Sequence, residues 1–520
     1  MQFDNVDFVP VDNDNPKAIF GNHKFQANKD MNVGDVIFTE TPLFRTLAPG
    51  FTNRICPNCL DLLPMDQYRS EEMESTKKCD DCILFFCSEE CHNECDVHRM
   101  NCQFFSIMSS EEMSDQIDII DVHLWLYSLI YLTMLHEGKL DILKDLAPAD
   151  FSVMPIERME YWLEQAELFK NFLKKYDDRF PLEAEKVTGE EIALAFYHLN
   201  TLPCPMPSKN EEISEVGYGV FIHMHYFQHS CVPNAIIHQS NKEIVFRAVK
   251  PIKAGDEITV SWIKLFQSAP KRQQQLMGIR GTRCQCERCT SPERVEYDQQ
   301  FDSLVCPECE QQALVITPSK QGVCYACKHV TSDKYITDIQ TQLRLLEDTF
   351  KTILNQRSNN EFEKLSRASN QYCKISEYCK AKFGEKNADY LEVIKKRTTL
   401  TKRLRNWKSA LEAVDEVLRW VDDEKVITPY NPERGELLLA RIFYRLEWIK
   451  DLENVTVEEL KKPALAKALK RDIIKKRELL DTVREIFTVV EGENSAHIKS
   501  ADKFDLVIAE FMNDPTIARK

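Results

Sequence analysis

Residues 227–236 read FQHSCVPNAI, and this short stretch decides the fold that the chain is expected to adopt. It places Cys231, a soft metal ligand, beside the polar side chains of His229 and Asn234 in otherwise apolar surroundings. A strand-like run, EIVFRAV, follows at 243–249. Two interpretations are open at this point: the stretch forms the floor of an enzyme's active site, or it is the preserved shell of a site that has lost its chemistry.

Size and charge predict a soluble globular protein of several domains. The chain has 520 residues, which is too long for one compact core, so we expect two to four domains. The formal net charge is −16, with 43% hydrophobic and 29% charged residues. An acidic chain is poorly suited to coating nucleic acid, because neutralising phosphates needs a basic surface. It is compatible with basic protein partners such as Lys-rich peptides.

The sequence predicts neither a secretory signal nor a membrane span. The first residues, MQFDNVDFVPVDND, are acidic and lack a continuous apolar run. The most apolar stretch, VHLWLYSLIYLTML at 122–135, is too short to cross a bilayer and predicts a buried helix. The chain holds 19 cysteines, most of them in CxxC or related spacings. In the reducing compartment that we expect, such spacing indicates metal binding rather than disulfide bonds.

The first cysteine cluster spans 56–102 and follows the pattern C-x2-C, C-x2-C-x4-C-x3-C-x6-H-x3-C. Two thiolates separated by two residues can reach one tetrahedral ion, because a tight turn holds both sulfur atoms about 2.3 Å from it. The pattern resembles the MYND zinc finger, in which alternate pairs share a metal. That resemblance implies one ion bound by Cys56, Cys59, Cys87 and Cys91, and a second ion bound by Cys79, Cys82, His98 and Cys102.

Two further clusters predict two more ions. The segment CQCERC at 284–289 offers three thiols, whereas a structural zinc site takes four ligands. Cys231 of the opening stretch is the candidate for the missing ligand. The four expected ligands of this site are Cys231, Cys284, Cys286 and Cys289. The third cluster has the spacing of a four-cysteine zinc ribbon formed by Cys306, Cys309, Cys324 and Cys327. The chain is therefore expected to bind about four zinc ions.

The order of these motifs resembles that of one protein family. A MYND-like finger, the HSCxPN motif, the segment GDEITVSW at 255–262 and the CxCxxC knuckle follow one another as in the SMYD family. Those proteins are SET-domain protein-lysine methyltransferases in which the finger interrupts the SET fold. The resemblance covers nearly the whole chain. It implies S-adenosylmethionine as the methyl donor and a narrow channel for the target lysine.

The resemblance predicts an α+β multidomain fold. It comprises a SET β-fold interrupted by a MYND zinc finger and a helical insert, then a post-SET zinc knuckle, an extra zinc ribbon and a C-terminal all-α TPR-like domain. The expected boundaries are 1–55 for the N-terminal part of SET, 56–102 for the finger, 103–190 for the helical insert, 191–265 for the SET core, 266–290 for the knuckle, 300–330 for the ribbon and 331–520 for the TPR-like domain.

Helical periodicity supports the assignment of the C-terminal region. The segments WKSALEAVDEVLRWV at 407–421 and ELLLARIFYRLEWI at 436–449 both follow a helical period. The stretches at 382–397 and 490–504 resemble two copies of one helix-turn element, as in TPR-like repeats. The basic run at 461–477 indicates a solvated helix face or a nuclear localisation signal.

Measured against the family, the residues that serve methyl transfer are altered. The Asn that usually precedes HSC is Gln228, and the Tyr that usually ends the last strand and lines the lysine channel is Trp262. An indole donates one hydrogen bond and accepts none, and it is bulkier than a phenol. The Gly-x-Gly turn that cups the donor is replaced by FGNH at 20–23. The aromatic residue usually found two positions before the knuckle is Thr282.

Other family positions are retained. Asn200 matches the family's donor-contacting Asn, and His229 is in place. If S-adenosylmethionine binds, the resemblance therefore implies contacts with Asn200, Gln228 and His229. The altered residues fall on donor capture and on the lysine channel, and they argue against binding of this cofactor.

These observations favour a degenerate methyltransferase that acts as a regulatory or chromatin-associated protein-interaction scaffold. Such a role predicts a location in the nucleus, the cytoplasm or both, and an effect on transcription regulation. The alternative is an active S-adenosylmethionine-dependent protein (histone)-lysine N-methyltransferase with a remodelled pocket. The ordered motifs disfavour a third interpretation, a zinc-rich adaptor unrelated to SET.

The charge of the finger indicates the class of partner. Residues 56–102 contain four Lys or Arg against eleven Asp or Glu. We therefore expect protein or peptide partners, bound through the finger and the helical domain, and no direct contact with nucleic acid or membrane. A purely structural finger is the alternative that this observation leaves open. The oligomeric state is not predicted by the sequence.

Overall fold

The structure is a computed structural model. It describes residues 4–10, 23–48, 50–63, 76–114, 121–140, 156–201, 203–208, 215–280, 283–317, 321–357, 360–423, 425–453 and 463–513. The chain divides into two compact units, each built from separated segments. Unit 1 comprises 1–228, 234–260 and 276–283, and unit 2 comprises 229–233, 261–275 and 284–520.

The strands are short and concentrated in the first two thirds of the chain. In chain order they are β1 (Val6–Pro10), β2 (His23–Ala27), β3 (Val36–Glu40), β4 (Phe44–Leu47), β5 (Lys77–Lys78), β6 (Phe85–Phe86), β7 (Pro203–Met206), β8 (Gly217–Val220), β9 (Gln228–His229), β10 (Ala235–Gln239), β11 (Ile244–Ala248), β12 (Thr259–Val260), β13 (Leu304–Val305), β14 (Gln312–Ile316), β15 (Gly322–Cys324) and β16 (Val330–Thr331).

Helices occupy most of the remaining described residues. They are α1 (Glu89–Glu94), α2 (Asp96–Met108), α3 (Glu111–Ser114), α4 (Val122–His136), α5 (Ile156–Lys175), α6 (Gly189–Thr201), α7 (Ala269–Arg280), α8 (Glu287–Thr290), α9 (Pro292–Asp298), α10 (Asp333–Asn355), α11 (Glu361–Phe383), α12 (Ala388–Arg403), α13 (Trp407–Val421), α14 (Pro432–Glu453), α15 (Pro463–Val490) and α16 (Ala496–Asn513). Within the described ranges, no helix is long and apolar enough to span a membrane.

Unit 1 is built around small antiparallel sheets. Strands β10, β11 and β3 form one sheet in that order, and β4, β8 and β7 form another. The strand expected over 243–249 corresponds to β11. Phe227, the first residue of the opening stretch, stacks on Phe246 of β11 with ring centroids 4.0 Å apart. Both rings are fully buried, so Phe227 belongs to the core of this unit.

A glycine in β8 allows β4 and β8 to approach closely. Gly217 pairs with Leu47 across these strands. A Cβ atom at position 217 would lie 2.3 Å from the carbonyl oxygen of Thr46. Only glycine fits this close backbone approach without displacing β4.

The apolar stretch at 122–135 forms a buried helix, as expected. Helix α4 extends from Val122 to His136, and the side chains from Trp125 to Met134 are all buried. Its N-terminus is capped by Asp121, whose side chain accepts a hydrogen bond of 2.9 Å from the backbone of Leu124. A helix that is apolar on every face belongs in a protein core.

Unit 2 contains one four-stranded sheet and a series of long helices. The sheet has the order β13-β14-β15-β16. From α10 to α16 each helix packs against the next one along the chain. The helices predicted at 407–421 and 436–449 correspond to α13 and to part of α14, so both predictions are confirmed. The basic run at 461–477 lies mainly in α15, but the side chains up to 474 fall outside the described residues.

The two similar segments in unit 2 share one backbone geometry. Helix α11 is followed by Gly384 with φ 87°, and α15 is followed by Gly492 with φ 92°. The next helix is then capped by Asn387 or Ser495, each of which accepts a hydrogen bond from the backbone two residues later. A glycine in the left-handed region ends one helix and a short polar residue starts the next. Both segments thus contain a glycine with positive φ that follows one helix and a polar N-cap that starts the next.

Candidate functional site

Four groups of side chains bring their ligand atoms together. In each group the sulfur and nitrogen atoms all lie within 4.8 Å of one another. The groups are finger site A (Cys56, Cys59, Cys87, Cys91), finger site B (Cys79, Cys82, His98, Cys102), the knuckle site (Cys231, Cys284, Cys286, Cys289) and the ribbon site (Cys306, Cys309, Cys324, Cys327). The structure thus brings together each set of residues expected from the sequence.

The separations between these atoms fit a tetrahedral zinc ion. Ligands about 2.3 Å from such an ion lie about 3.8 Å from one another, whereas a disulfide holds two sulfur atoms about 2.05 Å apart. The observed sulfur–sulfur distances are 3.4 Å for Cys59–Cys87, 3.7 Å for Cys79–Cys102, 3.6 Å for Cys231–Cys289 and 3.7 Å for Cys306–Cys327. All of these cysteines are free thiols. Each group can therefore bind a zinc ion.

Three of the CxxC turns share an unusual backbone conformation. The residue after the second cysteine has a positive φ, 57° at Leu60, 58° at Glu310 and 63° at Lys328. Its N–H donates to the carbonyl of the first cysteine, over 2.9, 3.0 and 2.9 Å respectively. A left-handed residue other than glycine costs on the order of 1–2 kcal/mol. This turn aims both sulfur atoms at one point, and a bound ion would offset the strain.

Two helices present three of the finger ligands, Cys91, His98 and Cys102. Ser88 caps α1 by accepting a hydrogen bond of 3.2 Å from the backbone of Cys91. Helix α2 carries His98 and Cys102, and it is kinked between them at Asn101, which has φ −128° and ψ 15°. The Nε2 atom of His98 lies 3.5 Å from the sulfur atom of Cys82, which fits two ligands of one ion.

The knuckle site joins a residue of the opening stretch to a segment far along the chain, entirely within unit 2. Cys231 is fully buried and lies beside the CQCERC turn. Gln273 holds that turn from α7: its Nε2 donates to the carbonyl of Cys284 over 2.7 Å, and the backbone of Cys284 donates back to its Oε1 over 2.9 Å. Both polar atoms of one amide side chain are thus used to place Cys284.

A buried charge network surrounds the knuckle site. Arg272 donates from Nε to the sulfur atom of Cys231 over 3.2 Å and from a terminal nitrogen to that of Cys289 over 3.6 Å. The same guanidinium lies 2.6 Å from Asp298, which also pairs with Arg288 over 2.9 Å. All three charged side chains are 1% exposed. Burying charges this completely is favourable only when each is paired and hydrogen-bonded.

Arg288 extends this network to other parts of unit 2. It donates to the carbonyl of Leu265 over 2.7 Å and to that of Val426 over 3.4 Å. The sequence analysis did not identify Arg272, Arg288 or Asp298. Their spacing in the chain carries no metal-binding pattern, and only packing brings them together.

His229 of the HSC motif connects the knuckle site to Trp262, and all of these residues belong to unit 2. The backbone N–H of Trp262 donates to Nδ1 of His229 over 3.2 Å. On the other side of the ring, Nε2 of His229 lies 3.3 Å from the sulfur atom of Cys231. The main chain of Trp262 therefore lies beside the His229 ring.

Asn234 has a structural role within unit 1. Its side chain donates to the carbonyl of Glu257 over 2.9 Å and accepts from the backbone of Thr259 over 2.8 Å. These bonds join the end of the HSCxPN motif to the GDEIT segment. The motif's Asn is thus used for holding backbone segments together.

Glu40 positions the segment that precedes the motif, a role that sequence analysis missed. Its buried carboxylate accepts hydrogen bonds from the backbone N–H groups of Ile222, His223 and Met224, over 2.8, 2.8 and 2.9 Å. The His223 ring adds a contact of 3.0 Å. A carboxylate at the start of a helical turn satisfies donors that would otherwise be unpaired. An acidic residue inside the strand VIFTE was the available signal.

Of the remaining residues expected to contact the cofactor, only some lie in the part of the chain that the structure describes. Gln228 is half-buried at the start of β9. Asn200 lies in α6, but its side chain falls outside the described residues, as do Thr282 and residues 20–22 of the FGNH stretch. His23 begins β2, where it pairs with Pro10 and stacks on Phe8 with ring centroids 4.5 Å apart.

The helix that carries Asn200 is fixed by a buried polar pair. The hydroxyl of Tyr131 and Nδ1 of His198 are 2.7 Å apart. Burial lowers the pKa of His198 from 6.5 to about 4, and burial also raises the pKa of Tyr131. A neutral imidazole that accepts from the phenol O–H satisfies both groups.

Comparison with known proteins identifies the family. The SET domain family matches residues 26–263. Mouse "Histone-lysine N-methyltransferase SMYD3" is 24% identical over 277 residues, which are 52% of this chain and 59% of the mouse protein. Mouse "N-lysine methyltransferase SMYD2" is 20% identical over 425 residues, covering 81% of this chain and 87% of the relative. A "SET and MYND domain-containing protein" of Dictyostelium discoideum is 22% identical over 338 residues, 54% and 80% of the two chains.

The chain spans about 59% of the length of mouse SMYD3, and a larger share of the other two relatives. The SET match begins in β2 and ends one residue after Trp262, so it includes the HSC motif and encloses the cysteine-rich segment that holds finger sites A and B. The SET domain match and the similarity to these relatives support the assignment of the chain as a divergent member of the SMYD family.

Proposed function

We propose that this protein is a SET and MYND zinc protein with a degenerate methyl-transfer site, and that it acts as a protein-interaction scaffold. The proposed roles are regulatory or chromatin-associated, with effects on transcription, in the nucleus, the cytoplasm or both. The 56–102 segment serves as the MYND finger and the 331–520 helices as the TPR-like domain. The division into SET segments, knuckle and ribbon follows the boundaries expected from the sequence.

One observation carries the proposal: a tryptophan occupies the position beside His229. The main chain of Trp262 is held 3.2 Å from the His229 ring. In lysine methylation the amine must lose a proton, which costs roughly 4–5 kcal/mol at neutral pH because a free lysine titrates near 10.4. Oriented oxygen acceptors help to place that amine in a dry channel. An indole N–H cannot accept a hydrogen bond, so position 262 does not supply such an acceptor.

The residues expected to hold S-adenosylmethionine do not fit that cofactor well. Gln228 is one methylene longer than the family's Asn. His23, which replaces a turn position in the family, is part of a paired strand and stacks on Phe8. These features disfavour tight donor binding, and no catalytic step is assigned to the site.

Zinc is the cofactor that the side chains support. Finger sites A and B, the knuckle site and the ribbon site are assigned as four structural zinc sites, each with four protein ligands. A structural ion contributes roughly 10–16 kcal/mol in model fingers, so each bound ion would strongly stabilise the segments that it joins.

A cavity beside the finger supports peptide docking as the binding activity. The cavity has a volume of about 170 Å³. Its lining is mostly apolar and includes Ile83, Leu84, Phe105 and Leu126. Ile83 is 43% exposed at this surface. An apolar recess in an acidic module fits a peptide that carries one large apolar residue flanked by lysines.

The docking proposal can be tested with a matched pair of variants. Ile83→Asp places a charge at the cavity, and Ile316→Asp places the same charge at an exposed residue of β14, where Ile316 is 40% exposed. Fluorescence anisotropy with labelled peptides that carry one large apolar residue flanked by lysines is expected to show binding that Ile83→Asp weakens at least tenfold and Ile316→Asp leaves unchanged. Equal affinities for both variants would contradict docking at this cavity.

An active methyltransferase is the alternative function. It is favoured by the similarity to mouse SMYD3 and SMYD2, both named as lysine methyltransferases, and by the retained Asn200 and His229. Isothermal titration calorimetry separates the two functions. We expect no binding of S-adenosylmethionine at micromolar concentrations by chain whose zinc content is four per molecule. Micromolar binding by such protein would overturn the degenerate-site proposal and support the alternative.

A further inference from the structure

The His229 ring lies between a metal ligand and the backbone of position 262. A backbone N–H can only donate, so the 3.2 Å contact from Trp262 makes Nδ1 of His229 an acceptor that carries no proton. The ring proton is therefore on Nε2. That atom lies 3.3 Å from the sulfur atom of Cys231, so the N–H is available to the ligand thiolate.

The same thiolate receives a second donor. Nε of Arg272 lies 3.2 Å from the sulfur atom of Cys231, and a terminal nitrogen of Arg272 lies 3.6 Å from that of Cys289. Four thiolates and one Zn²⁺ ion together carry two negative charges. Arg272 and Arg288, with Asp298 between them, supply one net positive charge in the same buried region. The network thus offsets part of the charge that binding the metal creates.

We propose that His229 is a positioning residue that ties the backbone of Trp262 to the knuckle metal, and that Arg272 supplies the compensating charge. Zinc binding at the knuckle site then determines the position of the Trp262 side chain. Loss of the ion removes the oriented thiolate that fixes the His229 ring, and with it the acceptor for the Trp262 N–H. This inference rests on the proposed zinc assignment of the knuckle site and not on whether the protein transfers methyl groups.

The experiment follows zinc and Trp262 at the same time. The chain has six tryptophans, so protein labelled with 5-fluorotryptophan gives six ¹⁹F resonances, and Trp262→Phe identifies one of them. A chromophoric chelator then removes zinc slowly. We expect the Trp262 resonance to change at the same rate as the release of one zinc equivalent. In His229→Ala that equivalent is released faster, because removing a hydrogen bond to a metal ligand typically lowers the metal affinity by about tenfold to a hundredfold.

A control in the same unit uses the same residue change. His497 stacks on Phe487 and contacts Glu491 over 3.0 Å, and it contacts no proposed ligand in the described structure. His497→Ala is expected to leave both the Trp262 resonance and the release rates as in wild type. His229→Ala could also fail to bind the fourth zinc ion altogether, while wild type binds four. That result would be the strongest form of the expected weakening and would support the proposal.

The possible failures are distinguishable. If the wild-type chain binds four zinc ions but His229→Ala leaves the Trp262 resonance and every release phase unchanged, the positioning role is wrong and the zinc assignment stands. If wild type binds three ions or fewer, the zinc assignment itself fails. Arg272→Met gives an independent measurement: faster loss of the same equivalent supports the charge-compensating role, and unchanged release overturns it.

Discussion

Asp298→Asn tests the buried charge network of unit 2. The substitution keeps the shape of the side chain but removes the negative charge that pairs with Arg272 over 2.6 Å and with Arg288 over 2.9 Å. Removing one partner of a buried ion pair costs about 3–5 kcal/mol, because the remaining charge stays buried without compensation. Arg272 keeps the thiolates of the knuckle site as partners, so the cost falls mainly on Arg288. We therefore expect about 3 kcal/mol, the lower end of this range.

The assay is thermal unfolding of zinc-loaded chain, followed by circular dichroism. For a unit of this size, 1 kcal/mol shifts the midpoint by about 2–4 °C, so Asp298→Asn should lower the transition of unit 2 by about 6–12 °C. The control is Asp348→Asn, because Asp348 forms an exposed pair with Lys351 over 3.5 Å. Such pairs contribute about 0–1 kcal/mol, so a shift of less than about 4 °C is expected. If Asp298→Asn melts within 1 °C of wild type, the reasoning about the buried network is refuted.

Three further predictions concern the ligands, the altered site and pH. Cys231→Ser should lose one zinc equivalent and unfold the region around the knuckle, whereas Cys373→Ser, which lies outside every site, should retain all zinc. Elemental analysis and thermal melting of both variants check this prediction. A wild-type melting midpoint for Cys231→Ser would contradict the zinc assignment. If activity is latent, peptide-lysine methylation should appear only when Trp262→Tyr and Gln228→Asn are combined, and activity of wild type or of either single variant in a radiolabelled methyl-transfer assay would contradict this. The pKa of His198 falls from 6.5 to about 4 on folding, so between these pH values the unfolded chain binds a proton at this residue and the folded chain does not. Acidification from pH 7 to pH 5 should therefore lower the free energy of unfolding by about 2 kcal/mol in wild type but not in His198→Gln, as measured by urea unfolding. Equal losses in both proteins would show that His198 is not buried in this way.

The local elements were predictable because neighbouring residues determine them. The period of 407–421 matches α13 from its first to its last residue. Helix α4 was expected from an apolar run alone, since a segment that is apolar on every face is stable only in a core. The CxxC turns follow from spacing, because two thiols separated by two residues reach one ion through a single tight turn.

Contacts between distant segments could be predicted only in part from the sequence. The need for a fourth ligand made Cys231 of the HSC motif a candidate partner of the CQCERC turn, and the structure brings the four thiols together. No comparable rule identified Glu40, whose carboxylate caps residues far along the chain. Arg272 and Asp298 were missed for the same reason. A charged residue in a sequence is usually exposed, and only the fold shows that these two are 1% exposed.

The sequence by itself determined the cysteine clusters, the class of cofactor, the residue types at positions 228 and 262, and the family resemblance that implied the pairing of the finger ligands. It did so because thiolate spacing and side-chain chemistry are properties of the residues themselves. The tertiary structure alone decided which backbone and which charges contact those residues: the N–H of Trp262 on His229, and the guanidinium of Arg272 on Cys231. Such contacts depend on packing between segments far apart in the chain, and packing distances are not encoded in local spacing.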